Sequence, residues 1–194
     1  MEDAELILRI QSGETEYMDC LISRHYDSIG KYCFWKTRSV EAAEDITQET
    51  FYRFFRYFDQ YTHVGKCRAY LYTIARRLCS EYFSIQQSVS LEELTETSGF
   101  TLSMEEEVES EHSVNQLISK LPPDQQEVML LRFIHDFKYR DIASITGLSI
   151  YMVQYKVKKS LSFIKKDIER GSLLEQTPDK HHTRPSAATS FTPY

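Results

Sequence analysis

A chain of 194 residues with 41% hydrophobic content is long enough to bury a real core, as one compact domain or two small ones. No apolar run is long enough to cross a bilayer, and Met1-Glu2-Asp3-Ala4 lacks the basic-then-apolar layout of a signal peptide, so the expected compartment is the cytosol. The formal net charge of -6 argues against indiscriminate nucleic-acid binding, and Cys20, Cys33, Cys67 and Cys79, with no C-x-x-C pair, suggest reduced and mostly buried thiols rather than a zinc ribbon or a disulfide framework.

The average charge hides its distribution. Residues 1–90 carry 11 basic and 13 acidic side chains, 91–120 carry 1 and 8, and 121–170 carry 9 and 6. The acid sits between two helical bodies, expected over 1–87 and 112–170. Residues 88–111 read as a Ser/Thr/Glu-rich acidic linker with at most short helical pieces. From Gly171 to Tyr194 the chain is rich in Pro, Ser and Thr without an apolar period, and is expected to be a disordered tail. His181 and His182 lack further ligands and read as plain tail residues, so no metal and no cofactor is expected.

Helix periodicity governs the remainder, and the expected fold class is all-α: two small helical domains joined by the acidic linker. Leu6, Ile7 and Ile10 mark a first short helix that stops at Ser12-Gly13. Tyr17, Leu21, Ile22, Ile29 and Tyr32 recur at helical spacing in a second, to about Thr37. A third begins near Ser39 as N-cap, with Glu41 and Glu44 placed for the helix dipole.

On a helical wheel, Ala43, Ile46, Thr50, Phe51, Phe54, Phe55 and Phe58 of this third helix share one half-circle and are expected core. The other half collects Asp45, Gln48, Glu49, Tyr52, Arg53 and Arg56. That half reads either as a solvated face stitched by the pairs Glu49–Arg53 and Tyr52–Arg56, or as a docking surface. Asp45 and Glu49 as metal ligands would need carboxylates or histidines from a second helix, and none is indicated.

A fourth helix is expected from about Cys67 to Tyr82, with Leu71, Ile74, Ala75 and Leu78 as its packed stripe. In and before it Tyr61, Tyr70, Tyr72 and Tyr82 interleave with Lys66, Arg68, Arg76 and Arg77. Aromatics beside cations suit single-stranded DNA, because rings stack on unpaired bases while cations hold phosphates; some of the tyrosines can instead merely flank the stripe.

In the second half, Pro122-Pro123 opens a helix carrying Val128, Leu130, Leu131 and Phe133. A helix ending at Gly147, a tight turn and Ser149 as the next N-cap have the spacing of a helix-turn-helix. The last helix has an apolar stripe of Ile150, Val153, Val157, Leu161 and Ile164. Its opposite side presents Tyr151, Met152, Gln154, Tyr155, Lys156, Lys158 and Lys159, the early residues toward base edges and the lysines toward phosphates.

Three stretches resemble bacterial RNA polymerase sigma factors of the sigma-70 family. EAAEDITQETFYRFFRYF is similar to their core-binding helix, an Ala-Glu-Asp, an aliphatic, then x-Gln-Glu-x-Phe; AYLYTIARRLCSEYF is similar to the W-L-x-x-I-A-R-N-x-x-x-D segment; and the Leu-Pro-Pro-x-x-Gln opening with its helix-turn-helix resembles region 4. Two such modules in this order, with a short acidic linker, resemble the extracytoplasmic-function class.

The resemblance implies a region 2 bundle over 1–87 that binds core RNA polymerase and the minus-10 element, and a region 4 over 112–170 that binds the minus-35 element. It further implies that Asp45, Gln48, Glu49 and Arg53, on a face shared with Tyr52 and Arg56, contact the beta-prime clamp helices. Lys66, Arg68, Tyr70, Tyr72, Arg76, Arg77 and Tyr82 would serve promoter opening. The implied partners are core polymerase, including its beta flap, promoter DNA and an anti-sigma factor, for a protein that is monomeric when free and not an enzyme. Tyr70 stands where relatives carry Trp, Arg77 where they carry Asn, and Ile150 to Tyr155 where they carry Gly-Thr-Val-Lys-Ser, so base preference is not carried over. Two other readings use the same residues: a stand-alone helix-turn-helix regulator whose first domain dimerises or senses, and a polymerase-binding adaptor without initiation activity.

Overall fold

The computed structural model describes residues 1–62, 65–89 and 109–175, apart from the side chains of 87–89, 109–113 and 170–175. The elements are helices throughout: α1 (Asp3–Gln11), α2 (Tyr17–Thr37), α3 (Val40–Arg56), a 3-10 turn (Phe58–Gln60), α4 (Cys67–Val89), α5 (Glu109–Ser119), α6 (Pro123–Phe133), α7 (Tyr139–Thr146) and α8 (Ile150–Glu175). Among the described residues there is no strand, as the periodicity requires.

The boundaries follow from local chemistry. Thr37 turns its hydroxyl back to the Cys33 carbonyl (2.9 Å), Arg38 adopts a left-handed conformation (φ 57°), and Ser39 accepts a hydrogen bond from the Ala42 amide (3.2 Å); together these end α2 and start α3 within three residues. Gly147 closes α7 at φ 73°, where a side chain would be strained, and the Ser149 hydroxyl accepts from the Met152 amide (3.2 Å) to open α8. Pro122 and Pro123 set the entry to α6. Gln126 then donates to the carbonyls of Leu121 (2.8 Å) and Ser119 (3.2 Å), fastening α5 to α6. This gives the Leu-Pro-Pro-x-x-Gln pattern a structural meaning.

Three extents differ from expectation. α3 ends at Arg56, so Phe58 enters the core from the 3-10 turn rather than from the helix. α4 continues seven residues beyond Tyr82, because FSIQQSV contains no helix stop. α8 runs to Glu175, past the expected limit at 170. The expected linker falls outside the described residues over 90–108, and the expected tail, with His181 and His182, over 176–194.

One contiguous apolar core connects both halves. Leu6, Ile7, Leu21, Ile29, Phe51, Phe54 and Leu71 fill the α1–α4 bundle, and Ile118, Val128, Leu131, Ile142, Val153 and Val157 fill the α5–α8 bundle. Polar stitches support it. Asp3 holds Arg24 (2.7 Å) and His25 (2.9 Å), tying α1 to α2, and Ser160 donates to Gln125 (2.9 Å), tying α8 to α6 in a buried position. Cys33, Cys67 and Cys79 are buried free thiols, whereas Cys20 is exposed.

The two bundles meet where α4 packs on α7 and on the turn between α6 and α7.

Candidate polymerase and nucleic-acid interfaces

α3 splits as its pattern demands. Ala43, Ile46, Thr50, Phe51 and Phe54 are buried, joined by Ala42 and Thr47, while Phe55 is only half-buried. On the opposite side Asp45, Gln48, Tyr52 and Arg56 are exposed and Glu49 and Arg53 half-exposed. Both expected helix-surface pairs form: Arg53 donates to Glu49 (2.7 Å), and the Arg56 guanidinium lies 5.9 Å from the Tyr52 ring centre. Arg53 also reaches Glu81 on α4 (3.3 Å). The face is therefore an ordered polar surface on a helix whose back is fixed by the aromatic core.

The side chains expected to meet unpaired DNA do not share one environment. Lys66 and Arg77 are exposed. Tyr70, 39% exposed, leans on a cluster of rings, 5.3 Å from Tyr61 and 6.1 Å from Phe54, which leaves its outer face open. Tyr82 is half-buried and its hydroxyl accepts from Gln86 (2.6 Å).

Tyr72 corrects the expectation of a base-stacking ring. It is 0% exposed, 5.1 Å from the Tyr32 ring and 4.7 Å edge-on to Phe137. Its hydroxyl donates to the Ser28 carbonyl (3.0 Å), which can only accept; the contact to His135 Nδ1 (2.9 Å) is then best read as a ring N–H donating to the phenol oxygen. The reason is geometric. Arg68, Tyr72, Ala75 and Cys79 recur at steps of 4, 3 and 4, one side of α4 that turns inward. Ile74, expected in the stripe, is only half-buried.

Arg68 and Arg76 face the other bundle. Arg68 donates to the His135 carbonyl (2.6 Å) and lies 4.4 Å over the Phe137 ring. Arg76 donates to Glu127 Oε1 (3.1 Å), the same oxygen that accepts from Tyr32 (2.7 Å) and Lys36 (3.4 Å). Burial would push the Glu127 carboxyl up, but Lys36, Tyr32 and Arg76 outweigh it and hold the group below the usual carboxylate range. Burial, with Arg68 and Lys31 adding to it, pushes His135 down to about 4. His135 therefore sits neutral in the seam.

Sequence reasoning missed Glu127, His135 and Phe137. Their partners lie 51 to 95 positions away, and no local pattern announces them.

The N-terminal half of α8 stays outside this seam. Tyr151, Met152, Gln154, Tyr155, Lys158 and Lys159 are exposed; Lys156 is half-buried and paired with Asp124 on α6. Val153 and Val157 are buried behind them, while Ile150 and Leu161, expected in the stripe, are exposed. The packed side of α8 runs through Val153, Val157, Ser160 and the half-buried Ile164, so Leu161 falls to one side of it and Ile150 lies at the start of the helix. Among the described residues no cluster of three or more His, Cys, Asp or Glu could hold a metal, and no helix is long and apolar enough to cross a membrane.

Comparison with known proteins agrees with this layout. Residues 21–88 match sigma-70 region 2, and residues 111–164 match sigma-70 region 4. The chain is 28% identical over 176 residues to the ECF RNA polymerase sigma factor BldN of Streptomyces coelicolor, covering 86% of this chain and 67% of that protein. It is 24% identical over 157 residues to the RNA polymerase sigma factor YlaC of Bacillus subtilis, covering 77% and 91%. In fold it is similar to CnrH, solved with the cytosolic domain of CnrY (TM-score 0.63, 17% identity, 87% of this chain and 97% of that one). It is also similar to the sigma factor RpoE of Bartonella quintana, solved with the anti-sigma factor NepR (TM-score 0.60, 18% identity, 78% and 96%). The chain belongs to the sigma-70 family, as an RNA polymerase sigma factor of the extracytoplasmic-function class that acts in transcription initiation.

Proposed function

We propose a division of this activity among three helices. The polar face of α3, Asp45, Gln48, Glu49, Tyr52, Arg53 and Arg56, docks on the beta-prime clamp helices of core polymerase. Lys66, Tyr70, Arg77 and Tyr82, with Arg68 and Arg76, hold the melted minus-10 strand. The exposed face of α8, Tyr151 to Lys159, enters the minus-35 major groove, with the beta flap supporting the α5–α8 domain. The observation that carries the reading is α3: six polar side chains on one side of a helix whose other side is locked by Phe51 and Phe54.

The acidic chain binds DNA weakly alone and gains affinity when polymerase holds both domains at promoter spacing, an effective-concentration gain. It works as a monomer, with an anti-sigma factor as its regulator, in the compartment of the polymerase. Residues 1–87 and 112–170 act as the two working domains, with 88–111 as linker and 171–194 as tail.

The test is run-off transcription with core polymerase, beside pull-down of core polymerase by the chain carrying Asp45→Ala and Gln48→Ala. The double variant should keep its helical circular dichroism and lose core binding, since polar groups on the polymerase left unpaired cost about 1 to 3 kcal/mol each. Retained binding would remove the α3 assignment. Tight promoter binding by a homodimer without polymerase would favour a stand-alone regulator, and core binding without transcripts an adaptor.

A further inference from the structure

Two of the four cysteines meet inside the α1–α4 bundle, and neither takes part in the activity described above. Cys33 on α2 and Cys79 on α4 are both 0% exposed, and their thiols are hydrogen-bonded to each other. We propose that Cys33 and Cys79 form a dithiol site that small hydroperoxides oxidise to a disulfide, entering by the groove between α2 and α3.

The helices around the pair hold it in register. α2 packs on both α3 and α4, and Tyr32, the neighbour of Cys33, lies 5.1 Å from Tyr72, which shares one side of α4 with Cys79. The Thr47 side chain on α3 also hydrogen-bonds Cys33, and its hydroxyl donates to the Ala43 carbonyl (2.6 Å). The Cys33 sulfur therefore has a polar partner on each of two neighbouring helices.

Thr47 is also the link to solvent. A groove of about 430 Å³ opens between α2 and α3, walled by Gly30, Phe34, Val40, Ala43 and Thr47. Gly30 keeps that wall thin, because a Cβ placed on it would lie 3.8 Å from Thr47 Oγ1, in space now left open. A small neutral peroxide can follow this route. Burial of both sulfurs excludes large disulfide oxidants, which must bring their own sulfur into line with the attacking thiolate.

The two thiols take different parts. The hydrogen bond from Cys79 outweighs burial and, with Thr47, holds Cys33 below the usual thiol range; the same hydrogen bond, followed by burial, drives Cys79 far above it. Cys33 is therefore the thiolate that attacks. Its sulfur takes one peroxide oxygen, the O–O bond breaks, and the departing hydroxide picks up the proton that the thiol gave, leaving Cys33 as sulfenic acid and one water. Cys79 then attacks the Cys33 sulfur, the S–O bond breaks, and the hydroxide leaves with the Cys79 proton as a second water. Two electrons pass from the pair to the peroxide.

The test uses the full chain carrying Cys20→Ser, which removes the exposed thiol. Reduced protein is treated with hydrogen peroxide, alkylated under denaturing conditions and mapped by mass spectrometry without reductant. A peptide joining Cys33 to Cys79 should appear, and dithiothreitol should remove it. Cys67, which burial and the Asp3 charge push up to about 12, should remain a thiol throughout. In Cys79→Ser the sulfenic acid should persist on Cys33 and take up dimedone.

Gly30→Leu, which fills the groove, should slow linkage about tenfold, because oxidation follows access to the sulfur. Gly30→Ala, whose methyl meets Thr47 at the ordinary distance of 3.8 Å, should fall between, and decides the matter if Gly30→Leu loses its helical circular dichroism. Absence of the joined peptide overturns the dithiol site. Oxidation of Cys67 as fast as the pair would show that unfolding admits the peroxide, and that result, or linkage at the unsubstituted rate in folded Gly30→Leu, overturns the route through the groove.

Discussion

Tyr32 on α2 donates its phenolic proton to Glu127 on α6 across 2.7 Å, and 95 positions of sequence lie between them. Lys36 and Arg76 converge on the same carboxylate oxygen, so one acid gathers two helices of the first bundle onto the second. Tyr32 is fully buried, and burial followed by the Glu127 charge drives its phenol well above the usual range. It is therefore the donor in this pair at neutral pH. Tyr32→Phe should remove that bond without opening a cavity and cost about 1 to 2 kcal/mol, hydrogen bonds to charged groups lying toward the upper end. For a chain of this size that is a fall of roughly 2 to 8 °C in Tm, which differential scanning calorimetry resolves.

His135 sets a pH dependence. In the seam it faces Tyr72, Tyr32 and the cations Arg68 and Lys31, and its folded value is about 4 against about 6.5 when free. A histidine depressed in this way contributes stability that is fully present above pH 6.5 and is lost as pH falls from 6.5 toward 4. The full effect is about 3 kcal/mol. Glu127, also depressed, acts in the same direction and loses its contribution as pH falls below its ordinary 4.5. Thermal unfolding followed from pH 7.5 to 5 should show Tm falling in the wild type and a shallower fall in His135→Gln. Equal slopes would place His135 outside the seam.

Tyr70 and Tyr72 should separate function from folding. Tyr72→Ala empties a fully buried aromatic site and should cost about 3 to 5 kcal/mol, read as a large drop in Tm. Tyr70→Ala, at a ring with its outer face open, should fold nearly as the wild type. It should lower open-complex occupancy by roughly tenfold, because a base stacked on an aromatic ring is worth about 1 to 3 kcal/mol. Permanganate footprinting of promoter thymines beside thermal unfolding reads both. A normal footprint from folded Tyr70→Ala would remove that ring from promoter opening.

On α8 the lysines and the early polar residues should fail differently. Lys158→Ala should weaken holoenzyme binding equally on all promoters and reduce the salt slope by roughly 1, as loss of one phosphate contact does. Lys156→Ala should do less, since Lys156 is half-buried on Asp124. Gln154→Ala should reorder the affinities of minus-35 variants. Uniform loss from all three would show that Gln154 reads no base.

Much of this was legible along the chain, and what was hidden was hidden for a physical reason. Ser39, Gly147 and Ser149 announce their caps because capping is a contact over two or three residues. The two faces of α3 follow from a period of 3.6, and so do its surface pairs. Tyr72 reads as a base-stacking ring because it interleaves with Arg68, Arg76 and Arg77 along the chain, whereas its own steps through Arg68, Ala75 and Cys79 turn it inward. Arg68 is half-buried against a partner 67 residues later, and no local rule reports such a pairing. The seam as a whole belongs to this kind: it is written in side chains that each look ordinary until the chain has folded back.

Both sides of that seam travel on the same polypeptide, so every molecule carries its own opponent in one-to-one ratio. Diluting the protein does not loosen the contact and overexpression does not saturate it, unlike a contact between separate chains, whose occupancy follows concentration. A binder that prefers the separated halves shifts the balance by no more than its difference in affinity for the two forms. The contact's occupancy is therefore set within each single molecule and does not change with the amount of protein made.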